Sequence, residues 1–324
     1  MCTAAAYQNH DFYFGRNLDL EHSYHEDVTI TPRNYPFRFR KAGTLSSHYA
    51  MIGMAYIADN YPLYYEATNE AGLSMAGLNF PGNADYKSFQ EEKDNIATFE
   101  FIPWILGQCS TIPQVKEKLS RLNLVSLAFS DALPPSPLHW IISGRDGSIT
   151  VESVKEGLRV YDNPIGLLTN NPPFDYHMTN LSNYMALSAN PPVNNFCHSL
   201  TLTPYCRGMG AMGLPGDLSS ASRFVKAAFT LLNSRCGTSE AENVSQFFHI
   251  LKSVEQQRGC VDLGDGLYEV TIYSCCCNAD KGIYYYTTYD NSQITAVDMR
   301  KEDLESSLLI SYPVLWEQNI LWQN

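Results

Sequence analysis

Cysteine and threonine occupy positions 2 and 3, directly behind Met1. Both side chains are small, a pairing that favours removal of the initiator Met and predicts a mature chain with a free α-amine on Cys2. An α-amine titrates at about 7.7 to 8 and a thiol at about 8.5, so near neutral pH the amine can act as base for its own side chain, and no histidine is required. The resulting thiolate attacks acyl carbon and divides amide hydrolysis into acylation and deacylation. Taken alone, a cysteine in this place reads as an accident of a frayed terminus. Its surroundings argue otherwise. A turn at Asn9 and His10 precedes the strand-like run DFYFGRNLDLE, and pairing residues 2–7 with 11–18 as a hairpin would bring Arg16 and Asp19 toward the terminus. A cation beside Cys2 lowers its thiol pKa, and a carboxylate can hold the α-amine by a charge-assisted hydrogen bond. Without that context the same two residues would be a surface ion pair of little worth.

The elements that must position these groups are legible as patterns. Segments 63–80 (LYYEATNEAGLSMAGLNF) and 139–154 (HWIISGRDGSITVESV) are rich in β-branched and aromatic residues and carry turn chemistry at Glu70-Ala71-Gly72 and Asp146-Gly147, which predicts antiparallel hairpins. A third hairpin is expected from YEVTIYSCCC and IYYYTTYD around Asp280 and Gly282. Helices are predicted over 112–122, behind Ser110 or Thr111 as cap with Pro113 in the first turn, and over 219–234. A further helix is predicted over 241–257, where Val244, Phe247, Phe248, Leu251 and Val254 keep helical spacing. PPSP at 134–137 reads as a loop. Hairpins interleaved with amphipathic helices point to an α+β layered fold.

A chain of 324 residues that is 44% hydrophobic can bury a substantial core, and one domain spanning 2–324 is expected. No run approaches the roughly 20 apolar residues that cross a bilayer, and MCTAAAYQNHDF lacks the pattern of a signal peptide, so a cytosolic protein without a membrane partner is expected. The net charge of -12 argues against nucleic acid as a partner, and a negative substrate would need local arginines. The nine cysteines show no regular framework and read as free thiols. The run Cys275, Cys276, Cys277 has no metal-ligand spacing and is expected to alternate faces of a strand. No metal or other cofactor is expected.

Taken together, MCTAAA, GRNLDLE, NEAGLSMAGLNFP, LHWIISGRDGSITVE, LLTNNPPFDYH, GLPGDLSSASRF and IYYYTTYDNSQITAVDM resemble the choloylglycine hydrolase family, which includes bile salt hydrolases and penicillin V acylases. The resemblance runs from Cys2 to about residue 300. It implies a four-layer αββα sandwich of the N-terminal-nucleophile type, an N-terminal Cys exposed by processing, and a homotetramer built from dimers. Carried over position by position, the catalytic set falls on Cys2, Arg16, Asp19, Asn79 in GLNFP, Asn170 as the first Asn of TNNP, and Arg223 in ASRF. A tetrahedral oxyanion needs preoriented donors, which the Asn170 amide and the backbone N–H at Asn79 would provide. Arg223 would add positive potential. Outside the family pattern, Asn79 and Asn170 would be ordinary turn residues and Arg223 a solvated helix residue.

Asn79 following GL resembles the bile salt branch, where penicillin V acylases tend to carry Tyr. Leu18, Tyr24, Phe129 and Leu133 resemble the family's pocket loops and are candidates for contact with an apolar acyl group, although each could equally be core. Arg207, in TPYCRGMGAMGLPGD, falls in a loop that the family contributes across a subunit contact. It is a candidate partner for a sulfonate or carboxylate and would favour taurine conjugates. Gly208, Gly210 and Gly213 match G-x-G-x-x-G, but no apolar strand precedes them and Pro215 and Gly216 break the expected helix, so a dinucleotide site is rejected.

Other readings are a penicillin V or N-acyl-homoserine lactone acylase with the same machinery, and a noncatalytic steroid-binding protein. A Cys-His protease is disfavoured, because Gln108-Cys109-Ser110 matches no such signature and no histidine sits in a recognisable partner motif. The chain departs from the family pattern in its apolar tail, PVLWEQNILWQN, and around residues 256–266.

Overall fold

The computed structural model describes residues 1–324. Along the chain run β1 (Cys2–Gln8), β2 (Phe12–Leu20), β3 (Asp27–Thr31), β4 (Met51–Ala58), β5 (Tyr61–Asn69) and β6 (Ser74–Asn79). Two helices follow, α1 (Phe101–Leu106) and α2 (Ile112–Leu119), then β7 (Leu138–Gly144), β8 (Gly147–Val154), β9 (Gly157–Asp162) and β10 (Leu167–Leu168). Next come α3 (Phe174–Leu181), α4 (Ser220–Asn233) and α5 (Glu240–Lys252), and last β11 (Val270–Asn278), β12 (Ile283–Thr288), β13 (Thr295–Asp298) and β14 (Ile310–Pro313).

The strands form two antiparallel sheets. One is six-stranded, in the order β10-β1-β2-β11-β12-β13, and the other eight-stranded, in the order β9-β8-β7-β6-β5-β4-β3-β14. Helices α4 and α5 pack on the outer face of the first sheet, α1 and α2 on the outer face of the second, and β1 meets β6 between the sheets. The layers therefore run helix, sheet, sheet, helix, as expected. Two buried clusters hold them together. One joins the facing sheets and α4 and α5 through residues such as Phe14, Ile52, Phe224 and Phe247, and the other joins the large sheet to α1 and α2 through Phe101, Ile105, Trp140 and Val151. No helix is long and apolar enough to cross a membrane.

Each predicted hairpin forms, with β5 and β6, β7 and β8, and β11 and β12 as its arms. Cys275, Cys276 and Cys277 are buried inside β11, on alternating faces. Helix α2 stops at Leu119, short of the predicted Arg121 and Leu122, because Leu122–Val125 leaves to pair in parallel with Asp94–Ala97. Its cap is Thr111, whose side chain accepts from the Gln114 N–H. Helix α5 ends at Lys252 rather than 257, yet Val254 stays buried beyond its end.

The opening hairpin sets the geometry of everything that follows. Cys2 pairs with Leu18 and Ala4 with Arg16, so alternation turns Cys2, Arg16 and Leu18 toward the large sheet and Thr3, Asn17 and Asp19 toward the helices. Gly15 lets β2 and β11 approach closely, since a Cβ there would overlap the Cys275 carbonyl.

Candidate functional site

Cys2 is 3% exposed and lies at the end of β1, flanked by charged groups on both faces of the sheet. On the inner face Arg16 is fully buried; its Nη1 donates to the carbonyls of Tyr65 (3.0 Å) and Gly77 (2.7 Å), while Nη2 has no partner. Burial alone would depress its pKa, but its ionisable neighbours Cys2, Tyr273 and Glu66 outweigh that and raise it. Arg16 therefore stays a cation, with one end of its guanidinium unspent beside the thiol.

On the outer face Arg223 reaches in from the first turn of α4. Its Nη1 donates to the Cys2 carbonyl at 2.7 Å and to Thr3 Oγ1 at 2.6 Å, and its Nη2 donates to Asn170 Oδ1 at 2.7 Å. A cation in the first turn of a helix opposes the macrodipole, and burial pulls its pKa down against the attraction of Asp19 and Cys2. Nothing about helix stability favours an arginine there. Asp19 Oδ2 lies 3.9 Å from Arg223 Nη1 and has no hydrogen-bond donor, while Oδ1 accepts from the Thr271 hydroxyl at 2.6 Å. Burial raises the Asp19 pKa, opposed by Arg223 and the chain terminus.

Asn170 ties these groups together. Its Oδ1 accepts from both the Cys2 N–H (2.7 Å) and Arg223, its Nδ2 donates to the Asn79 carbonyl at 2.7 Å, and its backbone N–H donates to Ser220 Oγ at 2.8 Å. Two donors on one side-chain atom and an acceptor on the other fix which way the amide points. Asn170 thus accepts from the Cys2 nitrogen while one of its amide hydrogens is engaged by Asn79, which enters through its carbonyl at the end of β6.

Met1 continues the hairpin by one residue. Its carbonyl accepts from the Asp19 N–H at 3.0 Å, and its ammonium donates to the Asp19 carbonyl at 2.9 Å and pairs with Glu269. Burial, first, lowers the pKa of this terminal amine, with Arg16 and Arg223 adding to the effect and Cys2 and Asp19 opposing it. Glu269 was not singled out by sequence; it sits one residue before β11, and only the pairing of β2 with β11 brings it to the terminus. With Met1 attached, the Cys2 nitrogen is an amide, whose lone pair is delocalised and not basic.

The structure thus gathers Cys2, Arg16, Asp19, Asn79, Asn170, Arg223 and Leu18. It leaves the other candidates outside this hydrogen-bonded group. Tyr24 is exposed on the loop after β2, against His22. Phe129 and Leu133 close a small loop through a 3.1 Å backbone bond, and Phe129 packs on Tyr61 and Phe99 beneath Arg40. Arg207 is exposed in the long connection between α3 and α4. The 208–213 glycines form a short turn there, with Gly208 at φ 83°, not a strand-to-helix phosphate loop. A cleft of 760 Å³ lined by Lys87, Lys93, Lys116, Leu158 and neighbours does not reach Cys2. Arg223 is also a correction to its ordinary reading, since it is buried rather than solvated.

Comparison with known proteins adds an independent line. Residues 2–312 match the family described as linear amide C–N hydrolases, choloylglycine hydrolase family. The chain is 58% identical over 314 residues to a bile salt hydrolase/transferase of Lactiplantibacillus plantarum, covering 97% of both chains. A crystal structure of the C2A mutant of the conjugated bile acid hydrolase from Clostridium perfringens superposes with a TM-score of 0.92 at 38% identity, covering 100% of each chain. A penicillin V acylase from Agrobacterium tumefaciens shares the fold, with a TM-score of 0.76 at 17% identity over 96% of this chain and 90% of that one.

Proposed function

The chain belongs to the choloylglycine hydrolase family of linear amide C–N hydrolases, and on that premise we propose that it hydrolyses the amide bond of glycine- or taurine-conjugated bile salts with Cys2 as an N-terminal nucleophile. The observation that carries the reading is the hydrogen-bonded group centred on Asn170, which joins the Cys2 nitrogen, Arg223 and Asn79 in one place.

Removal of Met1 converts the Cys2 amide into an α-amine that keeps Asn170 Oδ1 as its acceptor and inherits the acidic wall of Asp19 and Glu269. The amine takes the thiol proton, and the sulfur attacks the substrate carbonyl carbon. The remaining Asn170 amide hydrogen meets the oxyanion, and Arg16 stabilises the thiolate. As the oxyanion collapses, the C–N bond breaks and the α-ammonium gives its proton to the departing glycine or taurine nitrogen. Water then attacks the thioester as the amine accepts its proton, the C–S bond breaks, the α-ammonium returns the proton to the departing sulfur, and free bile acid leaves. Asn79 supports bile salts over penicillin V as the acyl donor, as does the 58% identical relative named for bile salts. Leu18, directly across from Cys2, is the first wall of the apolar acyl site, with Tyr24, Phe129 and Leu133 on the loops beyond it. Arg207 pairs with the anionic end of the conjugate. The exposed apolar side chains of its loop, among them Phe196, Tyr205 and Met212, support its burial in a tetramer contact.

Side-by-side hydrolysis of glycocholate, taurocholate and penicillin V by the processed chain tests the substrate. The conjugates are cleaved much faster than penicillin V, and the reverse order overturns the assignment. Mapping iodoacetamide adducts near neutral pH tests the nucleophile: Cys2 is labelled first and hydrolysis is lost with it, whereas uniform slow labelling means a binder. For Arg207→Ala, an unchanged ratio of taurine to glycine conjugates removes that residue from specificity.

A further inference from the structure

Two buried histidines stand behind the site, in sequence segments whose histidines had no assigned role. His177, on α3, donates from Nε2 to the backbone carbonyl of Asn170 at 2.9 Å; His139, on β7, donates from Nε2 to the carbonyl of Thr169 at 3.0 Å. Successive carbonyls of one segment are thus each held by an imidazole. Glu152 Oε1 lies 3.0 Å from His139 Nδ1 and also accepts the Phe174 N–H at 3.0 Å, so one carboxylate orients His139 and anchors the first turn of the helix that carries His177. Both nitrogens of His139 are thus engaged, one on a carboxylate and one on a main-chain carbonyl. His177 Nδ1 has no partner, and burial lowers its pKa, so this ring is neutral with its one proton on Nε2.

Stacking couples these rings to the rest of the catalytic group. His139 lies flat on Phe80 (4.2 Å, 5°), the neighbour of Asn79, and His177 on Phe224 (4.6 Å, 17°), the neighbour of Arg223. Each ring therefore fixes an Asn170-segment carbonyl with its edge and the neighbour of another site residue with its face.

We propose that His177 and the His139–Glu152 pair are positioning residues that hold the Thr169–Asn170 segment, and through it the Asn170 amide, in register with Cys2, Asn79 and Arg223. The proposal rests on the reading of Asn170 as an oxyanion donor. A displaced Asn170 weakens acyl transfer, which builds an oxyanion, far more than thiolate alkylation, which builds none and feels Asn170 only through its contact with the Cys2 nitrogen.

The test compares two reactions of the full-length chain, verified by mass to begin at Cys2. His177→Phe keeps the stacked shape and loses the donor; His177→Gln returns a donor near Nε2. For His177→Phe, kcat for taurocholate falls about tenfold or more with KM within about twofold, while the rate of Cys2 alkylation by iodoacetamide stays within about twofold; His177→Gln recovers most of the lost turnover. Unchanged hydrolysis overturns the proposal. So does a parallel fall of hydrolysis and alkylation, which marks a merely structural role. Should His177→Phe not fold, Glu152→Gln is read by the same pair of rates. Asn170→Ala separates the two possible failures: full hydrolysis by that variant sinks the oxyanion reading, whereas an impaired Asn170→Ala beside an unimpaired His177→Phe sinks only this inference.

Discussion

The two outer halves of the molecule bury very different material. Between the large sheet and α1 and α2, the interior is mainly aromatic and aliphatic, with Phe101 edge-on to Trp140 at 5.0 Å, and its buried Asn69 and Glu100 are hydrogen-bonded to the main chain. Around the small sheet, by contrast, Arg16, Asp19, Glu66 and Arg223 are all buried, and atoms of Arg16 and Asp19 lack hydrogen-bond partners. Burying apolar surface stabilises a fold, and burying charge costs free energy unless it is matched by good partners. One half holds the fold together so that the other can keep reactive groups in places that stability alone would not choose.

Three substitutions would break or sharpen that contrast. The largest effect on stability is expected for Phe101→Ala, which empties a filled site in the apolar half and costs about 3–5 kcal/mol in denaturant unfolding, with turnover per folded molecule unchanged. A loss of specific activity would mean that the halves are mechanically coupled. Asn170→Ala, on the charged side, removes about 3 kcal/mol of transition-state stabilisation, read as turnover slowed about a hundredfold or more. Normal turnover would leave the Asn170 group as scaffold.

The smallest effect belongs to a rim charge. Glu70 takes a two-pronged contact from Arg33 and a 2.9 Å bond from the Ala50 N–H. Partial burial pushes its pKa up, but these partners outweigh it and lower the folded value. The stability it contributes is therefore present above its unfolded pKa and lost as pH falls through the depressed folded one. Glu70→Gln should cost about 1 kcal/mol at neutral pH, a difference that closes below about pH 4 in urea melts. A pH-independent difference would assign the loss to packing instead.

The sequence carried the layered fold well, because its hairpins and helices are signalled locally by turn residues and by spacing. The terminal hairpin was readable for the same reason, and with it Arg16 and Asp19. Asn79, Asn170 and Arg223 lie far apart along the chain, and nothing local marks them; only their match to a family pattern made them candidates. Glu269, His139, Glu152 and His177 escaped even that. Their roles depend on which strands become neighbours, and a buried histidine bonded to a main-chain carbonyl leaves no pairing motif in sequence. The boundaries of α2 and α5 were missed because a strand pairing and a tail packed beyond the helix end both imitate continued periodicity.

The mechanism requires the nitrogen of Cys2 to be an amine rather than an amide when the chain works. The direct measurement compares two preparations of the wild-type sequence, one verified by intact mass to begin at Cys2 and one retaining Met1, for hydrolysis of taurocholate at equal folded concentration. The first should be active and the second inert, with the same thermal unfolding. Equal rates from the two would contradict a base supplied by the chain's own terminus.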